Sequence, residues 1–397
     1  MTTPSESIDG APHMLGREDK GERPMVRLKP AERRSLSIWL SIVLGMIFCM
    51  VVIGGVTRLT GSGLSMVEWR PLMGALPPLT QVEWDRVFEL YQHSPQYQQV
   101  NQWMTISDFK WIFFWEYLHR LFGRLIGLAF ALPWAYFMLR GVLKGAWRWR
   151  ATAALILGGS QGLLGWYMVK SGLVDQPQVS HFRLAAHLSL AFFCGQWVWS
   201  MLIDLNLERW KPSTALSEDT LEPKTPQTLA ARTLAPPLSA SLKMQSSFLV
   251  VLIIQIVYGA FMAGSRAGIL YTTYPTMNGA WVAPTWYDAN GHFMMPIWQN
   301  LLNHPDSIHF IHRTLALVVL GFGAWLSWRC VRDPSSLIKR IGACFITLLS
   351  LQFLLGVLTV TSGMNVAIAA SHQGGSFLLL SATIALLQVS WRINQEA

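Results

Sequence analysis

The stretch 111–139 reads WIFFWEYLHRLFGRLIGLAFALPWAYFML. A bilayer is crossed by ~20 apolar residues in a helix, and this run exceeds that length while holding Glu116, His119, Arg120 and Arg124. The stretch returns at 308–329 as IHFIHRTLALVVLGFGAWLSWR, where Phe310-Ile311-His312-Arg313 answers Tyr117-Leu118-His119-Arg120. An ionisable group inside a span is costly and marks function by default. A histidine repeated at the same place in two spans implies a duplicated, all-α integral membrane protein.

The rest of the chain agrees with this reading. Its 397 residues are 52% hydrophobic and only 13% charged, with 19 Trp, whereas soluble domains carry about a quarter charged residues. Eight apolar stretches are predicted to span, at 36–56, 111–139, 150–170, 182–204, 245–263, 308–329, 337–360 and 366–389. The net charge of +9 does not indicate nucleic acid, because the basic residues gather in alternate loops. That is the positive-inside pattern of a chain surrounded by membrane lipid. Arg17 to Arg34, Arg140 to Arg150, Arg209 to Lys243 and Arg329 to Arg340 all fall on one side, which places both termini in the cytoplasm. Residues 1–35 read as a polar cytoplasmic tail. No cleavable signal is visible there, and its acids (Glu6, Asp9, Glu18) argue against a mitochondrial transit peptide. A bacterial inner-membrane protein is expected.

The halves 36–204 and 245–390 repeat. Gln161-Gly162-Leu163-Leu164-Gly165 returns as Gln352-Phe353-Leu354-Leu355-Gly356, and Ala185-Ala186-His187 returns as Ala370-Ser371-His372. Gly61-Ser62-Gly63 has a weaker echo in Gly264-Ser265-Arg266. Four spans separate equivalent points, so the repeats run parallel, as two pseudo-symmetric four-helix bundles. The stretch 205–244 reads as a flexible cytoplasmic linker. The outer loops 57–110 and 264–307, rich in Trp, Pro and Gly, read as folded caps.

Of ten histidines, four lie inside even-numbered spans near their outer ends: His119, His187, His312 and His372. Imidazole is a common axial ligand of heme iron in helical bundles. Two spans running the same way bring their histidines to one depth, so each half is expected to grip a porphyrin between two imidazoles. Zinc is a weaker reading, since no Cys or carboxylate cluster accompanies either pair. Arg120, Arg124 and Arg313 stand ready to neutralise heme propionates, or to snorkel or pair with Asp108 or Glu116. Glu116 sits three residues before His119 and so shares its helix face. The repeat has His309 there, so only one half carries an acid beside its heme, suited to accepting protons or stabilising positive charge; the alternative is a salt bridge to Arg120. His181 and His309 are left outside the ligand set. The glycine-rich 54–63 stretch follows a membrane helix and reads as a helix end and tight turn. Cys49, Cys194, Cys330 and Cys344 read as small buried apolar residues.

Gly54 to Met66 (GGVTRLTGSGLSM), Glu116-Tyr117-Leu118-His119-Arg120, Arg183-Leu184-Ala185-Ala186-His187, His312-Arg313 and His372-Gln373 together resemble heme A synthase, from about 36 to 390. The similarity is to the form without a cysteine pair in the first outer loop. It implies an oxidoreductase that converts heme O to heme A for terminal oxidase assembly, turning the C8 methyl group into a formyl group by successive hydroxylations with oxygen from water. It further implies that His312 and His372 bind a heme b cofactor, that His119 and His187 hold the substrate heme iron, and that Glu116 is the acid of the reactive half. Partners would be heme O, the farnesyltransferase that makes it (heme O synthase), and an electron acceptor. Two other readings fit four histidines: a diheme b-type electron-transfer cytochrome, and a heme transporter or assembly factor. The first does not account for an acid in one half alone, and the second would release heme unchanged.

Overall fold

The computed structural model describes residues 28–68, 76–172, 179–207, 238–282, 286, 292 and 296–396. The first half contains α1 (Pro30–Leu59), α2 (Gln81–Gln92), α3 (Ile106–Leu139), α4 (Gly145–Gly172) and α5 (His181–Leu207). The second contains α6 (Leu238–Ser265), α7 (Ile297–Asn303), α8 (Pro305–Val331), α9 (Ser336–Thr361) and α10 (Val366–Glu396). Among the described residues the only β pairing is the isolated bridge between Met277 and Ala280. The protein is all-helical, with every expected span lying inside a helix. Among the described residues, seven helices are long and apolar enough to cross a membrane. α4 is as long as the others but falls outside those seven, because Trp147 to Arg150 and the Gly-Gly-Ser-Gln run at 158–161 dilute its apolar character. The count of eight spans is therefore not established.

Helix ends follow local chemistry. Pro occupies the first turn of α1 and α8, where its missing N–H has no partner to lose. Thr105 and Asp108 form a reciprocal cap at the start of α3. α3 stops at Gly141, whose φ of +66° lets its N–H reach the Met138 carbonyl (3.1 Å) while Val142 N–H reaches Phe137 (2.9 Å).

The largest apolar cluster takes Val51 from α1, Phe192 from α5, Phe248 from α6, Leu326 from α8, Phe345 from α9 and Phe377 from α10. Both halves thus contribute to one interior, with α1 and α5 lying against α10 and α6. Small residues permit this closeness: a β-carbon at Gly195 would stand 2.5 Å from the Phe377 ring. A second cluster fills the far end of the first half around Leu40, Trp147 and Leu205. Outward faces carry Ile42, Leu128, Leu132 and Leu354, as lipid-facing helices must. Cys49 and Cys344 also lie on exposed faces, Cys194 is half-buried, and Cys330 alone is buried. The expectation of four buried cysteines is corrected, since a thiol is apolar enough to sit on either face of such a helix.

At the end opposite the four histidines, buried Asp204 on α5 takes Arg150 of α4 (2.6 Å) and Arg392 of α10 (3.0 Å). This carboxylate ties three helices of both halves. The first outer loop is a folded cap where it is described: Tyr91, Phe109, Ile112 and Phe113 form its core. Burial holds the Tyr91 phenol above its ordinary pKa. Most of the linker, 208–237, and most of the tail, 1–27, lie outside the described residues; α5 and α6 both extend into the linker as the sequence bounds it.

Candidate functional site

Each of the four histidines sits early in its helix: His119 in α3, His187 in α5, His312 in α8 and His372 in α10. Each ring lies against a glycine late in the neighbouring antiparallel helix. A β-carbon would stand 3.1 Å from His119 Cε1 at Gly54, 2.9 Å from His187 Cε1 at Gly165, 3.0 Å from His312 Cε1 at Gly259 and 2.9 Å from His372 Cε1 at Gly356. Real β-carbons rarely approach so closely, so glycine at these places lets the imidazoles lie flat against the next helix.

Four residues before three of those glycines, and so on the same face, stands a glutamine. Gln161 Nε2 donates to the His187 carbonyl (3.0 Å), Gln255 to His312 (3.1 Å) and Gln352 to His372 (3.0 Å). The corresponding place before Gly54 is Met50. Three histidine-bearing helices are therefore pinned at the level of the histidine, and the fourth, carrying His119, is not pinned this way.

The residues fit an iron porphyrin. His312 and His372 line one cavity, with ring centres 6.5 Å apart and planes at 90°. Two imidazoles bonded to one metal from opposite sides, at about 2.0–2.1 Å each, place their ring centres roughly 6 Å apart. The Nδ1 atoms of all four histidines are buried without a hydrogen-bond partner, an exception to the usual satisfaction of buried polar atoms. Among the described residues no three His, Cys, Asp or Glu side chains gather as a metal site, so each pair would need the further ligand atoms that a porphyrin brings.

Glu116 is 3% exposed and lies one turn before His119 on α3. Arg120 Nη2 meets its Oε1 at 2.5 Å, while Ser65 Oγ and Met66 N both donate to Oε2 at 2.7 Å. The Gly54–Met66 segment explains how. α1 ends at Leu59, Gly61 turns at φ +69°, and a single 3-10 turn, Ser62–Leu64, sets Ser65 and Met66 onto the carboxylate. Arg120 Nη2 also donates to the Met66 carbonyl (3.0 Å). The pairing of Glu116 with Arg120, one of two readings the sequence left open, is thus formed. The second half builds the same turn without the acid: Arg266 at φ +56° precedes the 3-10 turn Ala267–Ile269. The repeat therefore registers Gly61 with Arg266, rather than with Gly264 as the sequence echo suggested.

Arg313 donates to the carbonyls of Thr273 and Thr276 (2.5 and 3.2 Å) and borders the His312 cavity. Arg124 lies one turn beyond Arg120 on α3. His181 meets the Leu302 carbonyl (3.0 Å), and His309 packs on Tyr271. Sequence reasoning missed the four glycines, the glutamine clamp and Arg58, which borders the His312–His372 cavity from α1. The clamp has a visible signal, since two of its copies are the repeated QGLLG and QFLLG marks at 161–165 and 352–356.

Residues 37–384 match the model of the family described as Cytochrome oxidase assembly protein (COX15-CtaA). The chain is 39% identical to the heme A synthase of Nitrosospira multiformis over 90% of its own length and 93% of the relative's. It is 38% identical to the heme A synthase of Rhodospirillum centenum (88% and 86% covered) and 38% identical to that of Agrobacterium fabrum (89% and 90%). With all four histidines and Glu116 inside the matched span, the chain belongs to the heme A synthase family of cytochrome oxidase assembly proteins.

Proposed function

We propose that this membrane protein oxidises the C8 methyl group of heme O to the formyl group of heme A, with His119 and His187 holding the substrate and His312 and His372 holding a heme b cofactor. The observation that carries the division of labour is the Glu116–Arg120 pair, which stands beside His119 and has no acidic counterpart beside His312. Converting methyl to formyl with oxygen from water releases four protons and four electrons. A buried carboxylate held by three donors next to the ligand is suited to receive protons in turn, with Arg120 holding it in place. Bound heme b would supply the one-electron chemistry that carries electrons toward an external acceptor.

The chain's own residues supply position. The glycines let each imidazole lie against its neighbour helix, the glutamines hold three of those helices at depth, and the Ser65–Met66 turn aims Glu116. The reaction class is an oxidoreductase acting on a CH group. Substrate heme O comes from its farnesyltransferase, and the site belongs on the outer side of a bacterial inner membrane with both termini in the cytoplasm, as the basic loops support.

The test is product analysis. Membranes expressing this chain with a heme O source should yield a formyl-bearing porphyrin by mass. A diheme electron carrier or a transporter would return heme unchanged. His312→Ala should deplete tightly bound heme b and abolish product, while His187→Ala should abolish product with heme b retained. Unaltered heme b in His312→Ala would overturn the assignment of the cofactor to the second half.

A further inference from the structure

Resting on the reading of the His312–His372 cavity as a heme site, we propose that Arg58 of the first half binds a propionate of the heme held by the second half. Arg58 and Arg313 border that cavity together with Tyr274. One guanidinium then comes from each half, for a cofactor with two carboxylates.

The charge balance favours this. Arg58 Nη2 donates to the Gly264 carbonyl at the end of α6 (2.8 Å). Its Nε is buried and has no partner. Among the described residues no carboxylate lies within ion-pair distance of Arg58 or Arg313, and Arg266 adds a further positive charge near Arg58. Three other arginines on the long helices meet acids of the chain itself: Arg120 has Glu116, and Arg150 and Arg392 share Asp204. A half-buried cation without an anion is costly in a membrane helix. The missing negative charge is what a porphyrin carboxylate brings, and guanidinium suits it bidentately.

The position is built. Gln373, next to ligand His372, donates to the Val51 carbonyl (2.7 Å), and its amide packs on Gly55. This fastens α1 alongside the histidine helix, one turn short of Arg58. The repeat offers no reciprocal group: the register that pairs Gly54 with Gly259 and Gly61 with Arg266 sets Arg58 opposite Ala263. The contribution runs one way, from the substrate half to the cofactor half.

Arg58→Gln keeps a donor for Gly264 while removing the charge, and Arg58→Lys keeps the charge. The full-length chain, purified from a heme-deficient host, is reconstituted with protoheme or with its dimethyl ester, whose carboxylates are blocked. Wild type should prefer protoheme by about tenfold or more; Arg58→Gln should lose most of that preference, and Arg58→Lys should keep it. In the loaded protein the heme b midpoint potential should fall in Arg58→Gln, because a nearby cation favours the reduced form, and hold in Arg58→Lys. Equal affinity of wild type for heme and ester overturns the proposal with no variant needed. So does an Arg58→Gln protein with unchanged ester discrimination and potential, which would leave Arg58 as a tie between α1 and α6. Failure of the underlying heme-site reading shows separately, as an optical spectrum unchanged by His312→Ala.

Discussion

Gly165 and His187 are in contact: a β-carbon added to the glycine would lie 2.9 Å from His187 Cε1. Gly356 and His372 repeat this at the same distance. Both rings would have to shift to admit a methyl group, and such overpacking costs about 1–3 kcal/mol. Gly356→Ala should lower heme b content, measured by the reduced pyridine hemochrome, while Gly165→Ala should lower heme A yield and spare heme b. Gly127→Ala on α3, which meets nothing within 4 Å, should leave both unchanged.

Glu116 is the carboxylate to which Arg120 is tied, so its single replacement confounds two effects. Glu116→Ala takes the carboxylate from the buried Arg120 guanidinium, and breaking one side of a buried pair costs about 3–5 kcal/mol. The protein should accumulate poorly and make no heme A. The double variant Glu116→Gln with Arg120→Gln removes both charges and should recover accumulation, read by detergent-solubilised yield. If heme A formation stays lost in that variant, the acid has a chemical role; recovery of product would reduce Glu116 to an anchor for the 62–66 turn.

The glutamine clamp should govern how firmly heme is held. Gln352→Leu deletes one hydrogen bond to the His372 carbonyl, worth about 1 kcal/mol. Transfer of heme b to an apo-globin acceptor should then speed up by about fivefold. Equal transfer rates in wild type and variant would show that the helix holds its depth without the amide.

Asp204 joins Arg150 and Arg392 far from the histidines. Asp204→Ala should lower the thermal midpoint in detergent, with a loss on the order of 3–5 kcal/mol. The optical spectrum of bound heme should not change. A spectral shift would mean that the inner end of the bundle is coupled to the site.

Much of the site was legible in the chain because a histidine in an apolar run is rare and its repetition is rarer. The helices were legible as apolar runs, and each expected span falls within one, seven of these being long and apolar enough to cross a membrane among the described residues. α4 marks the limit: its Gly158-Gly159-Ser160-Gln161 run is too polar for a simple apolar criterion, yet Gln161 and Gly165 on it are what hold His187. The Gln-x-x-x-Gly pattern was visible at 161–165 and 352–356, but its purpose depends on which helix lies next door, and spacing along one helix does not reveal that. Its third copy, Gln255 to Gly259, shares only the two end residues. The link from Arg58 to the second half was hidden entirely, since sequence places it near Gly54, in the half that carries His119.

The shared apolar cluster, drawn from α1 and α5 on one side and α6, α8, α9 and α10 on the other, means that the covalent join between residues 207 and 238 is not what keeps the molecule in one piece. A protease nick there would leave two fragments gripping each other through Phe192, Phe248 and Phe377 and through the Asp204–Arg392 pair. The two halves are therefore held as a single body by packing and charge, even though the chain counts them out as two.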